Sequence, residues 1–248
     1  MPGSDTGLVY VSMVGVATLL VSVLTLAARR RAGPWEITVA KGLAVVLLAK
    51  AALWVFTATN PGPWTIQTGL PLYLCDLAVF IAAAACWWRK PILVEITYFW
   101  GLAGVLEAII TPELPNGSAH LLFIQYTVGH LAVVAAAIYL TFGMRIAPRA
   151  GAVLRVFAIT VAYTAAVGMV DWFTGADYML LRYRPPTWSL LWVLGPWPWY
   201  ILGAAGVGFF SFVLLDAPFW AQRRKMLFGS EQALPQRGMA PQVHPRRR

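Results

Sequence analysis

The chain has 248 residues, of which 59% are hydrophobic and only 12% charged, with a formal net charge of +9. Soluble domains, about half apolar and a quarter charged, do not carry that balance. The apolar residues stand in blocks of roughly 19 to 23 without period-two alternation, which excludes barrel strands and leaves helices long enough to cross about 30 Å of hydrocarbon.

The first block, about 8–28, resembles a secretory leader only in position. It is preceded by Asp5 with no basic n-region, and it ends in Arg29-Arg30-Arg31 where a cleavage site would need small residues, so an uncleaved span is predicted. Further spans are predicted at about 37–57, 69–88, 92–111, 119–141, 152–173 and 197–219. The expected fold is therefore all-α: a polytopic bundle of seven transmembrane helices occupying about residues 1–220.

Between the second and third spans, Asn60-Pro61-Gly62-Pro63-Trp64 reads as a turn-rich loop, with Trp64 suited to the headgroup region. The longer connection from Thr174 to Pro196 carries Tyr178, Tyr183, Trp188 and Trp192, and leads into Gly195-Pro196-Trp197-Pro198-Trp199-Tyr200. It reads as an interfacial aromatic belt, with a lid over a site as the competing interpretation. From about 221 to 248 the chain turns polar and basic and is expected to be a disordered cytoplasmic tail. Its Arg223, Arg224 and Lys225 suit anionic lipid headgroups.

The basic residues recur at every other connection: Arg29 to Arg31, then Arg89 and Lys90, then Arg145 and Arg149, then Arg223 to Lys225. That rhythm places the amino terminus outside and the carboxyl terminus in the cytoplasm, and it predicts a multi-pass protein of the plasma membrane. It accounts for the net charge without a nucleic-acid partner, because no basic stripe or RNA-binding motif accompanies it.

Ionisable groups inside a span are costly and therefore candidates for function. Lys50, Asp76, Glu107, His130 and Asp171 are of this kind, with Cys75, Gln125 and Tyr126 beside them, and nearly all fall in the outer half of their spans. Lys50 and Asp76 lie at similar depth, so a buried ion pair is predicted, serving either helix register or chemistry. Glu107 and Asp171 sit nearer the boundary and are expected to be hydrated or paired with groups such as Arg182 and Arg184.

Cys75 is either a small buried hydrophobe or a nucleophile, and Lys50 and His130 are the groups able to support a thiolate. His130 is either a hydrogen-bonded core histidine or a base, and Tyr126, one turn earlier on the same face, is placed to orient it. Asp76 is not the direct partner of Cys75, since consecutive helical residues point about 100° apart. Cys75 and Cys86 are separated by about 16 Å of helical rise, too far for a disulfide. No serine elbow, phosphate-binding glycine loop or zinc motif occurs. His120 and His130 cannot ligate both faces of one haem from one helix, so no cofactor or metal is expected.

Several stretches occur in an order that resembles the YwaF-like family of bacterial membrane proteins, related to the transmembrane protein 164 acyltransferases. They are Leu70-Pro71-Leu72-Tyr73-Leu74-Cys75-Asp76-Leu77-Ala78, Tyr98-Phe99-Trp100-Gly101-Leu102, Thr111-Pro112, Phe123-Ile124-Gln125, Gly129-His130, Asp177-Tyr178-Met179 and Leu194-Gly195-Pro196-Trp197-Pro198-Trp199-Tyr200. The resemblance implies seven helices and, from the animal relatives, acyl transfer between glycerophospholipids through a catalytic cysteine. Cys75 falls on the family's Leu-Cys motif and His130 on its intramembrane histidine. Tyr73 departs from a pattern that often has His there, and Asp171 and Asp177 from one that usually has Asn.

The leading expectation is an acyltransferase or lipid hydrolase acting on (lyso)phospholipid through an acyl-thioester. A proton-coupled carrier built on the intramembrane charges is second, and a non-enzymatic receptor or scaffold third. The loop charges also generate a topology prediction. Reporter fusions should place Arg31, Arg89, Arg149 and the tail in the cytoplasm, and Asn60, Asn116 and Asp177 outside; a tail found outside overturns the assignment.

Overall fold

The computed structural model describes residues 4–59, 64–110, 120–185 and 189–232, and among them every regular element is helical. The helices are α1 (Ser4–Arg30), α2 (Trp35–Thr59), α3 (Leu74–Trp88), α4 (Pro91–Ile110), α5 (His120–Ile138), α6 (Ala152–Thr174) and α7 (Trp199–Gln232). All but α3 belong to segments long and apolar enough to cross a membrane. Leu8, Leu19, Leu154, Trp172 and Phe210 are exposed on α1, α6 and α7, as side chains facing lipid would be. The loop at 60–63, the Thr111-Pro112 motif, Asn116, Trp188 and the tail from 233 lie outside the described residues.

The core is built by small side chains. Ala40, Ala44, Ala78, Ala82, Ala85, Ala132 and Ala136 are buried where α2, α3, α4 and α5 pack together. Lipid tails are as apolar as any core residue, so helix association in a bilayer relies on close approach and hydrogen bonds, which small residues permit. At Gly101 a Cβ would stand 3.0 Å from the Cβ of Ala137, so glycine lets α4 and α5 meet there. Gly101 also opens a π-helical turn, Gly101–Val105, inside α4. The extra residue rotates the remainder of α4 by about 100° relative to a regular helix.

The third helix departs from the expected 69–88. It begins at Leu74 and has 15 residues, about 22 Å of rise. Pro71 disfavours the helical conformation at Leu70 and has no amide of its own to donate, so residues 69–73 run as an irregular strap. The strap's polar backbone is satisfied from other elements. Tyr178 accepts from the Leu70 amide at 3.0 Å and donates to the Ile66 carbonyl at 2.8 Å, while Tyr163 donates to the Leu72 carbonyl at 3.0 Å. Tyr178 is thus buried and structural, and the aromatic belt is drawn from Trp172, Phe173, Tyr183, Trp197 and Trp199, all exposed.

The opposite, basic end is held by charge. Glu95, only 1% exposed, accepts from the Arg149 backbone amide at 3.0 Å and from its Nε at 2.8 Å, and from Arg155 Nη2 at 3.1 Å. Arg223 donates to Asp216 at 2.6 Å and to the Pro148 carbonyl at 2.9 Å. That anchor lies past the expected end of the last span, and α7 continues to Gln232. Residues 221–232, expected to be disordered, are therefore helical: Ala, Gln, Arg, Lys, Met and Leu are strong helix formers that extend an existing helix without a new nucleus.

Glu95 generates a prediction. Either arginine alone still neutralises the carboxylate, whereas removing both strands a buried charge. In thermal unfolding in detergent, Arg149→Ala combined with Arg155→Ala should therefore lower Tm by more than the sum of the single losses. Additive losses would show that Glu95 is not held by the pair.

Candidate functional site

Lys50 lies on α2, nine residues before its end, and extends toward the first turn of α3. Its Nζ stands 3.6 Å from Asp76 Oδ1, and the two side chains are 11% and 20% exposed. The ion pair expected from equal depth is present. Equal depth gives no hint of the third participant, α5. A Cβ at Gly129 would lie 2.8 Å from Lys50 Cε and 3.2 Å from its Cδ and Cγ. The lysine stem thus lies across the bare backbone of α5 immediately beside His130, and any larger residue at 129 would push it away.

Cys75 and His130 line one crevice, together with Lys50, Gly129 and Val105. Val105 reaches it as the last residue of the π-helical turn of α4. No water-sized space remains inside the crevice, although Cys75 and His130 each keep part of their surface exposed. Cys75 is the second residue of α3, where its own amide and that of Leu74 have no preceding helical carbonyl to bond. Those amides and the Lys50 ammonium supply positive potential where a thiolate would form, and the Asp76 carboxylate acts against it. Asp76 faces a neighbouring crevice on the other side of Lys50, as the 100° step between consecutive residues requires.

His130 is oriented by one firm bond. Its Nδ1 lies 2.7 Å from the Tyr126 carbonyl oxygen. A carbonyl can only accept, so Nδ1 carries the proton, and in the neutral imidazole Nε2 keeps a basic lone pair. Tyr126 does orient His130, as its one-turn spacing suggested, but through its backbone carbonyl and through ring contact at 4.1 Å. Its hydroxyl donates instead to the Ala108 carbonyl at 2.8 Å, fixing α5 against α4.

The other polar candidates are not brought into this crevice. Gln125 is buried and accepts from the Thr57 hydroxyl at 3.2 Å, tying α5 to α2. Glu107 is exposed. Asp171, expected to be hydrated or paired with Arg182 and Arg184, is fully buried, and its Oδ1 accepts from the Tyr178 amide at 3.0 Å. It caps the turn after α6, where Gly175 sits at φ 75°. Arg182 turns its backbone amide to Asp177 at 2.8 Å, and Arg184 lies over the Trp192 ring. In the tail, Arg223 is committed to Asp216 and Arg224 covers Trp220 at 4.2 Å. Among the described residues no group of three or more His, Cys, Asp or Glu side chains is placed to hold a metal ion.

The TMEM164 family model matches residues 4–216, in agreement with the relation expected from the ordered motifs. No curated protein matches the chain, and no solved structure matches it.

The Lys50–Asp76 pair yields a quantitative expectation. Removing one member strands the other and should cost about 3–5 kcal/mol, whereas Lys50→Met with Asp76→Asn should cost less than the sum. A double-mutant cycle on unfolding in mixed micelles measures the coupling, and purely additive losses would show that the two charges do not stabilise each other.

Proposed function

The chain belongs to the TMEM164 family, and on that premise we propose that it is a membrane-embedded acyltransferase or lipid hydrolase of the plasma membrane, acting on (lyso)phospholipids through Cys75. The observation that carries this reading is the 2.7 Å contact between His130 Nδ1 and the Tyr126 carbonyl, which assigns the proton to Nδ1 and leaves Nε2 as the base of a histidine lining the same crevice as Cys75. A nucleophile beside a base oriented by a third group is the arrangement that covalent catalysis needs.

In the proposed reaction His130 Nε2 takes the Cys75 thiol proton and Sγ attacks the ester carbonyl of a phospholipid. Collapse of the tetrahedral adduct breaks the ester C–O bond, the imidazolium returns the proton to the departing alkoxide, and a thioester remains on Cys75. A lysolipid hydroxyl, or water, then gives its proton to His130 and attacks the thioester, which restores the thiol. Lys50 and the first-turn amides of α3 offset the negative charge on sulfur.

A carrier is less well supported. Moving toward the basic end from Lys50, Asp76 and His130, the next turns present Leu47, Ala82, Val133 and Ala136, all fully buried. None of these four side chains can pass a proton on toward Glu95.

The test is direct. Full-length protein incubated with a phospholipid radiolabelled in its acyl chain should acquire label that hydroxylamine removes and that Cys75→Ser does not acquire. His130→Ala should slow labelling by roughly 10²–10⁴-fold. Equal labelling of Cys75→Ser would sink the thioester.

A further inference from the structure

Lys50 belongs to two crevices. One is the crevice of Cys75 and His130. The other lies between α2 and α3, with apolar walls made by Ala51, Trp54, Pro71 and Phe80 and a floor made by Lys50 and Asp76. Phe80 is 39% exposed, on a face of α3 directed away from the bundle core, so this second crevice opens sideways toward lipid. Val79, 3% exposed, lines both. The lysine stem, lying on Gly129, and the Val79 side chain are therefore the partition between a bilayer-facing opening and the Cys–His crevice.

We propose that the crevice between α2 and α3 is the doorway through which a glycerophospholipid reaches Cys75 from the bilayer, with the Lys50–Asp76 pair as its bolt and the lipid phosphodiester as the group that draws it. This rests on the acyl-transfer reading of the same site and names its route and its recognition element.

Three features select that occupant. The opening is amphipathic in the sense a phospholipid requires, because apolar side chains line its walls and the ammonium at its floor is a partner for a phosphate. At 3.6 Å the ion pair is looser than the roughly 2.7–2.9 Å of a tight charge-assisted bond. A phosphodiester therefore competes with Asp76 for the ammonium, and a tighter charge-assisted bond to the phosphate offsets the cost of leaving the carboxylate. The space at the floor holds about one water and the space beyond the partition holds none, so a lipid reaches the sulfur by this route only when the partition moves. When the ammonium moves toward the phosphate its stem lifts from Gly129, and the two crevices become one passage.

The experiment uses the full chain in phosphatidylcholine vesicles and reads alkylation by a membrane-soluble maleimide separately at Cys75 and Cys86 by mass spectrometry. Cys86 is fully buried in the core and serves as the internal measure of folding. Phe80→Ala, which widens the opening, should speed Cys75 alkylation severalfold, and Ala51→Leu, which fills it, should slow it, with Cys86 unlabelled in both. Should Phe80→Ala also expose Cys86, Trp54→Ala is read in its place. Equal Cys75 rates across the folded variants overturn the doorway.

A second arm tests the phosphate. Lysophosphatidylcholine should protect Cys75 in the otherwise unaltered protein, a monoacylglycerol of the same chain should not, and Lys50→Met with Asp76→Asn should weaken the protection by about tenfold or more. Equal protection by both lipids, or protection that survives in the double variant, overturns the phosphate's role. None of these readouts depends on turnover. A doorway that behaves as described in a protein that forms no acyl-enzyme would leave a lipid site without the chemistry, whereas acyl-enzyme formation with unchanged alkylation would leave the chemistry with another route.

Discussion

An ammonium and a carboxylate placed inside a bilayer must find each other or water, because a single unpaired charge there costs several kcal/mol. Lys50 and Asp76 meet this constraint at 3.6 Å, and the place where they meet determines much else. The contact fixes the register of α2 against α3. It carries the lysine stem over α5 at the one position, Gly129, where no side chain stands in the way. It also brings positive charge to the edge of the crevice that Cys75 and His130 line. Three helices are aligned by one long side chain, and the candidate site is where they converge.

The parts of this arrangement that depend on composition and periodicity were legible in the sequence. Apolar block lengths set the helices, and the like depths of Lys50 and Asp76 along neighbouring spans set the pair. The one-turn spacing of Tyr126 and His130 set their contact, although the bond proved to run through the backbone carbonyl. What could not be read depends on contacts between distant residues. Glu95 stands in the first turns of α4, and Arg149 and Arg155, far along the chain, close around it. Asp171 looked accessible from its place near a helix end, yet the chain after Gly175 folds back and buries it against the Tyr178 amide. Gly129 carried a signal only through its neighbour, since a glycine beside an intramembrane histidine is informative once another helix is known to lean on it.

The depth of Cys75 shows how one local error propagates. Counting from a helix start at 69, Cys75 stands about 9 Å below the edge and His130 about 16 Å, a mismatch that argues against contact. Pro71 is the residue that invalidates the count. By ending the helical conformation before Leu74, it replaces the first turn of the assumed span with a strap, and α3 starts at Leu74 with Cys75 in its first turn. The proline was visible in the sequence. Its consequence required knowing that Tyr163 donates to the Leu72 carbonyl and Tyr178 accepts from the Leu70 amide, without which an irregular backbone there would be too costly to hold.

The two ends of the bundle are thus secured by different means. At the basic end, guanidinium and carboxylate groups from distant segments lock Glu95 and Asp216, and α7 continues as helix past its anchor at Arg223. At the other end, neutral tyrosine hydroxyls reach backbone carbonyls: Tyr163 to Leu72, Tyr178 to Ile66 and Tyr200 to Leu180. A neutral hydroxyl-to-carbonyl bond contributes about 0.5–1.5 kcal/mol net, roughly half or less of one made to a charged group. The strap leading into Cys75 is therefore held by bonds that are individually weak, while the far end is held by strong ones. That asymmetry suits the proposed lipid exchange better than uniform rigidity would, because the more weakly held segment leads into Cys75 and the strongly held one lies at the opposite end of the bundle.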